Sequence, residues 1–180
     1  MLNEIIKIIA NDFIIIPVVL ATVLFFRLKT REMKIKYVAV IVIAAVLALI
    51  FANIGRALVN NPRPFVVNPH LTPLIAHTRD NGFPSDHTLL SALLGFAMIP
   101  FSIEFGATGL SVALLIGASR VMANVHHPLD IIGSLIFTFI AVVIASLIVK
   151  MYFSRKKLKN ENPEETVSKD KKIKNSRKTK

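Results

Sequence analysis

The sequence predicts an all-α, polytopic bundle of membrane helices. Three observations carry that prediction. The chain has only 180 residues, of which 53% are hydrophobic, and a mean hydropathy of +0.59. Five apolar runs approach the roughly 20 residues that a helix needs to cross a bilayer. The basic residues concentrate in the segments between and after those runs rather than within them.

The first run, Phe13 to Phe26, reaches spanning length only if Ile5 to Asp12 extend it, which sets Lys7 and Asp12 toward its outer end; residues 2–10 are alternatively a short interfacial helix. Tyr37 to Gly55 and Ile131 to Val149 are almost free of charge and are the clearest spans. Between them, Thr88 to Ile103 and Gly106 to Ala118 are shorter and interrupted by Pro100 and several glycines. Membrane helices accept such residues where neighbouring helices cover the freed backbone.

Orientation follows from lysine and arginine. Residues 27–36 hold five basic side chains, and the segment from Ser154 to Lys180 holds eleven against four acidic ones. Both are therefore expected in the cytoplasm. Five spans then put the N-terminus outside, together with the loops that carry Arg63, His87 and His126. Residues 1–153 read as one membrane-embedded domain and 154–180 as a basic, disordered cytoplasmic tail drawn to anionic membrane lipids. That tail accounts for much of the net charge of +11. It has no aromatic residue after Phe153, which disfavours nucleic acid as a partner. The absence of cysteine excludes disulfides and thiolate metal sites. The N-terminus lacks a basic leader and a small-residue cleavage site, so it reads as an uncleaved anchor.

Three polar clusters stand at the outer helix ends. In the first, Arg56 and Arg63-Pro64 place two permanently charged forks where they could hold phosphate oxygens; taken alone, they are more simply snorkelling anchors. In the second, Pro84-Ser85-Asp86-His87 reads as a helix start with Ser85 as the capping side chain, leaving N–H groups at Asp86 and His87 free for an anion. His87 is placed there to exchange a proton near neutral pH. The Asp86 carboxylate would repel a phosphate, so it is expected to turn away or hold a basic neighbour.

In the third cluster Arg120 ends the fourth run, His126 lies in the outer connection, and Asp130 follows Pro128 at the start of the fifth. A carboxylate four residues after a histidine can take its ring N–H, fixing the tautomer and raising the basicity of the other nitrogen. His126 is thus a candidate nucleophile; His127 competes, but spacing favours His126. No set of three or four clustered metal ligands is evident. Together the clusters supply three arginines, two histidines and a carboxylate, an inventory suited to phosphoryl transfer without a metal or other cofactor.

Arg56-x6-Arg63-Pro64, Pro84-Ser85-Asp86-His87 and Ser119-Arg120-x5-His126-x3-Asp130 resemble the three ordered signature motifs of the type 2 phosphatidic acid phosphatase superfamily, over roughly residues 56–130. Two positions depart from the usual pattern: Arg56 stands where lysine is common, and Asp86 where glycine is common. The Pro-Ser-Asp-His form resembles the branch that includes bacterial undecaprenyl-diphosphate phosphatases.

The resemblance implies a multi-pass cell-membrane lipid phosphatase acting on a polyprenyl or phospholipid phosphate at the outer face, with undecaprenyl diphosphate as the expected substrate. Lipid-carrier recycling for peptidoglycan synthesis, and with it bacitracin resistance, is the implied role. His126 would form a phosphohistidine, Asp130 would orient it, and His87 would protonate the leaving group. Arg56, Arg63, Arg120, Ser85 and the backbone at Asp86 would hold the phosphoryl oxygens. A phosphatidate or phosphatidylglycerol-phosphate phosphatase is the alternative within this chemistry. A small anion transporter is a distant alternative, because polar residues gather at one surface rather than along a path. A non-catalytic anchor would leave the histidines and outer arginines unexplained. The sequence is silent on oligomeric state.

Overall fold

A computed structural model describes residues 1–161, and these are arranged as seven helices: α1 (Leu2–Asn11), α2 (Ile15–Arg27), α3 (Arg31–Leu58), α4 (Pro64–Val67), α5 (Asp86–Met98), α6 (Ile103–Met122) and α7 (Pro128–Glu161). Among the described residues there is no named strand, only an isolated bridge between Pro62 and Asn81. The chain divides into two compact units, Met1–Ala145 and Ser146–Lys180. In the second, Leu147, Ile148, Met151 and Tyr152 are exposed.

In the first unit the helix starts follow local chemistry. Thr30 caps α3 by accepting from Met33 N (3.1 Å), and Ser102 caps α6 by accepting from Phe105 N (3.4 Å). Glu32 and Glu104 lie in the respective first turns, where the helix dipole favours a negative charge. Along α3, Ala44, Ala48, Ala52 and Gly55 recur on one buried face. Val38, Val42, Val46, Leu49 and Ile54 are exposed on the rest of its surface. Small residues inward and branched residues outward are the pattern of a helix that packs closely on its neighbours and faces lipid elsewhere.

At the centre lies α5, buried over most of its circumference, Thr88, Leu89, Ala92, Leu93 and Met98 among its enclosed residues. It packs on α2, α3 and α6. The α5–α6 crossing is a backbone contact: a Cβ on Gly95 would come within 2.9 Å of Leu110 N, and one on Gly109 within 3.0 Å of Gly95 Cα. Any larger residue would push these helices apart.

Helix lengths revise the expected spans. Among the described residues three helices, α3, α6 and the Pro128–Leu158 part of α7, are long and apolar enough to cross a membrane, and a fourth span results if α1 and α2, bent by 45° at their break, count as one. At 13 residues, α5 covers about 20 Å of a hydrocarbon core of roughly 30 Å. It ends at Met98 because Pro100 lacks the N–H to continue it, and the Ser102 cap starts α6 three residues ahead of the expected Gly106. Residues 2–10 do form a separate helix. At the other end α7 runs past Ser154 to Glu161, so the first part of the expected disordered tail is helical; residues 162–180 lie outside the described residues.

Candidate active site

The connection from α6 to α7 builds the centre of the site. Asn124 takes a left-handed conformation (φ 59°), which asparagine tolerates better than most residues, and its side chain donates to Thr72 O (3.2 Å). The turn closes with Val125 N donating to Arg120 O (3.3 Å). Val125 and Ala123 are then buried with Ile6, Ala10, Phe65 and Ile75 in an apolar cluster. Pro128 starts α7 directly afterwards, where a missing N–H costs nothing. His126 and Asp130 are thereby fixed from both sides.

Asp130 is fully buried, and a buried carboxylate is tolerable only when its oxygens find donors. His126 Nδ1 (3.1 Å) and His127 N (2.8 Å) donate to Oδ2, and Asn61 Nδ2 donates to Oδ1 (2.7 Å). Gly82 passes so near that a Cβ there would lie 2.9 Å from Asp130 Oδ2. With its Nδ1 proton committed to Asp130, His126 keeps Nε2 as an unprotonated acceptor. Arg63 Nη1 donates to that nitrogen (3.3 Å). Burial pushes the His126 imidazole below its ordinary value; the Asp130 hydrogen bond opposes this, while the charges of Arg120 and Arg63 add to it. The ring is therefore neutral near pH 7.

Arg63 is itself buried and held by two further bonds, from Nε to Asp80 Oδ1 (2.7 Å) and from Nη1 to Val125 O (2.8 Å). At Asp80 burial raises the carboxyl, but the hydrogen bonds from Arg63 and Thr78 and the Arg63 charge together outweigh it and keep the carboxyl below its ordinary range. Arg120 is 1% exposed. Its Nη1 donates to Ala10 O and to Asn11 Oδ1 (both 3.3 Å), and its Nη2 donates to His77 Nε2 (2.7 Å). The His77 ring meets that of His126 edge to face, 5.9 Å between centroids.

His126, Asp130, Arg63 and Arg120 thus share one cluster, and Ser85 adjoins it through Ser85 N donating to Asp130 O (3.3 Å). Ser85 occupies the N-cap position of α5 but makes no capping bond, contrary to the sequence expectation; its Oγ instead accepts from Thr88 Oγ1 (3.2 Å). That leaves the first N–H groups of α5 without a side-chain cap. His87 is half-buried and feels the charges of Arg120 and His126. Arg56 does not join the cluster by hydrogen bonding: its guanidinium forms an ion pair with the exposed Asp86 carboxylate and donates to Asn53 Oδ1 (3.3 Å). Asp86 therefore holds a basic neighbour, as its position requires.

Sequence reasoning missed Asn61, His77 and Asp80. All three come from the segment between α3 and α5, whose path is set by tertiary contacts: Asn81 Nδ2 to Val59 O (2.7 Å), Gly82 N to Asn61 O (2.9 Å) and Leu74 N to Ala123 O (3.0 Å). No spacing rule links such loop residues to a helix end. Among the described residues no group of three His, Cys, Asp or Glu side chains is placed to hold a metal ion.

Helices of membrane-spanning type around a buried histidine–carboxylate pair and two buried arginines are the frame of a phosphatase superfamily, and the chain belongs to it: the PAP2 superfamily pattern matches residues 36–156. The chain is 34% identical over 131 residues to the bacitracin transport permease protein BcrC of Bacillus licheniformis, covering 73% of this chain and 64% of that one. To the undecaprenyl-diphosphatase BcrC of Bacillus subtilis (strain 168) it is 32% identical over 123 residues, 68% of this chain and 61% of the relative. To the putative undecaprenyl-diphosphatase YbjG of Escherichia coli (strain K12) it is 31% identical over 148 residues, 78% and 70% of the two chains. It thus spans less than two thirds of the length of the two Bacillus proteins. The fold is shared with the crystal structure of Aquifex aeolicus LpxE (TM-score 0.61, 22% identity, 79% of this chain and 92% of that one). It is shared too with a PAP2-type phosphatidylglycerolphosphate phosphatase from Bacillus subtilis (TM-score 0.53, 21% identity, 86% and 77%).

Proposed function

We propose that this chain is a membrane lipid phosphatase that removes the terminal phosphate of undecaprenyl diphosphate at the outer face of the cell membrane. The observation that carries the chemistry is His126, tied by Nδ1 to a fully buried Asp130 and presenting Nε2 beside Arg63. The substrate reading is supported by the names of the B. subtilis and E. coli relatives.

His126 Nε2 attacks the terminal phosphorus in line, and the bond from phosphorus to the bridging oxygen breaks as the N–P bond forms. His87 gives its proton to the departing lipid monophosphate. Asp130 stabilises the charge that develops on the His126 ring. A water that passes its proton to His87 then attacks the phosphohistidine, releasing inorganic phosphate and restoring His126. Arg63 and Arg120 carry the charge on the equatorial oxygens, with Ser85 and the uncapped N–H groups at Asp86 and His87 on the far side. Arg56, anchored by Asp86, meets the substrate at the mouth. No cofactor takes part in any step.

Residues 1–153 constitute the phosphatase unit, and the basic segments 27–36 and 154–180 face the cytoplasm. Five crossings satisfy that orientation when α1–α2 count as one and α5 as another. A helix as enclosed as α5 has little surface to match to lipid, so it can cross within protein despite its length. Its antiparallel contact with α6 brings the His87 end to the Arg120 end.

The test is phosphate release by the purified full chain in detergent with EDTA. Undecaprenyl diphosphate is expected to turn over faster than phosphatidate or phosphatidylglycerol phosphate in matched micelles. Equal rates on the three would remove the substrate assignment, and no release from any would remove the activity.

A further inference from the structure

A third histidine stands in the site without a part in the scheme above. His77 lies in the segment between α4 and α5, ten residues before His87 and outside the signature motifs. Its Nε2 is 2.7 Å from Arg120 Nη2. A guanidinium can only donate, so Nε2 is the acceptor and His77 carries its proton on Nδ1. Burial and the charges of Arg63 and Arg120 hold the ring in that neutral form, with a pKa lowered to about 4.

The remaining bonds of Arg120 show what this contact does. Both acceptors at Nη1, Ala10 O and Asn11 Oδ1, come from the C-terminal end of α1. Nε is buried and has no partner among the described residues, although a buried N–H left unpaired is ordinarily destabilising. Nη2 lies on the same edge of the guanidinium as Nε and has a second hydrogen to give. That edge is the fork that grips two oxygens of a phosphoryl group. We propose that His77, with Asn11, is a positioning residue that fixes the Arg120 guanidinium so that Nε and the second Nη2 hydrogen are turned toward the phosphoryl group bound beside His126. The clamp rests on the phosphatase reading for its role in turnover, but not for its role in anion binding. It also makes α1, outside the matched 36–156 region, part of the phosphate site.

Orthovanadate, a phosphate analogue, is the probe. Its binding to the purified full chain in detergent is measured by titration calorimetry for the wild type, His77→Ala, His77→Gln and Asn11→Ala. Loss of a hydrogen bond to a charged group predicts affinity about tenfold weaker in His77→Ala. The amide oxygen of His77→Gln can accept from Arg120 and should restore affinity to within about threefold. Asn11→Ala, which removes one of two acceptors at Nη1, should weaken binding less than His77→Ala. In turnover, the loss in His77→Ala should fall mainly on KM. Should His77→Ala fail to fold, His77→Gln against His77→Lys repeats the comparison, since lysine can only donate. Wild-type affinity in His77→Ala, or a glutamine variant no better than alanine or lysine, overturns the proposal, as does a wild type that does not bind vanadate. Vanadate binding that depends on His77 in a chain without lipid turnover would sustain the clamp and reject the phosphatase reading.

Discussion

Arg63 Nη1 lies 3.3 Å from His126 Nε2, so a permanent cation donates to the one unprotonated nitrogen of His126, a bond that attack on phosphorus has to release. The same Nη1 also donates to Val125 O, and Nε is held by Asp80. A phosphoryl group arriving at Nε2 therefore meets a guanidinium already fixed in place. This predicts that Arg63→Lys, which keeps the charge but loses the fork, lowers kcat/KM by at least about tenfold. Steady-state kinetics on a polyprenyl diphosphate measures it. A lysine variant with full activity would show that charge alone suffices.

Asp130 binds both His126 and Asn61, and mutation can separate its proposed orienting role from its structural one. Asp130→Asn keeps the shape but can present an amide N–H to His126 Nδ1, favouring the wrong tautomer. Its kcat should fall at least about 100-fold, and an effect of a few fold would count against the orienting role. Asn61→Ala leaves Asp130 Oδ1 without its donor and should cost about 1–3 kcal/mol of stability by denaturant titration, with a smaller loss of kcat.

Gly82→Ala changes no polar group, yet its Cβ would press on Asp130 Oδ2 at 2.9 Å. Either the loop or the carboxylate must shift. Because misplacement of a catalytic group by about 1 Å can cost on the order of 100-fold, kcat should drop by at least about tenfold while KM changes little. Unchanged kinetics would mean that the loop yields freely.

The pH dependence has a definite sign. The proposed attack needs neutral His126, and its pKa is lowered in the fold, so the acidic limb of kcat/KM should fall below pH 6.5, the ordinary histidine value. Stability follows the same direction. Folding with His77 lowered to about 4 and His126 also lowered means that the unfolded chain binds more protons. Stability is then fully present above the unfolded value near 6.5 and is lost as pH falls toward the folded values. Thermal midpoints in detergent between about pH 7 and about pH 4 should decline, and less steeply in His77→Gln. A flat profile would contradict the buried neutral assignment.

Much of this arrangement is legible in the sequence because it rests on local rules. Apolar run length and the placement of basic residues between and after the runs give an all-helical membrane fold; the four-residue step from His126 to Asp130 across a proline-started helix gives their contact. The arginines are legible as positions of the three signature motifs rather than from their own surroundings, which alone suggest membrane anchors. The lengths of α5 and α7 are less so, since Pro100 and the Ser102 cap truncate one and nothing in the Ser154 region stops the other. Ser85 makes no capping bond, and its oxygen accepts from Thr88 Oγ1 instead. His77, Asn61 and Asp80 were not readable at all: they reach the site through loop contacts, and a single sequence carries no periodicity for those.

The central claim is that His126 is the nucleophile. The most direct measurement is rapid quenching of the full chain with undecaprenyl diphosphate labelled in its terminal phosphate, followed by location of the label. An acid-labile, base-stable phosphate on His126 is expected, formed in the presence of EDTA and absent in His126→Ala, which should also have lost turnover. Full turnover by His126→Ala, or label on another side chain, would contradict it.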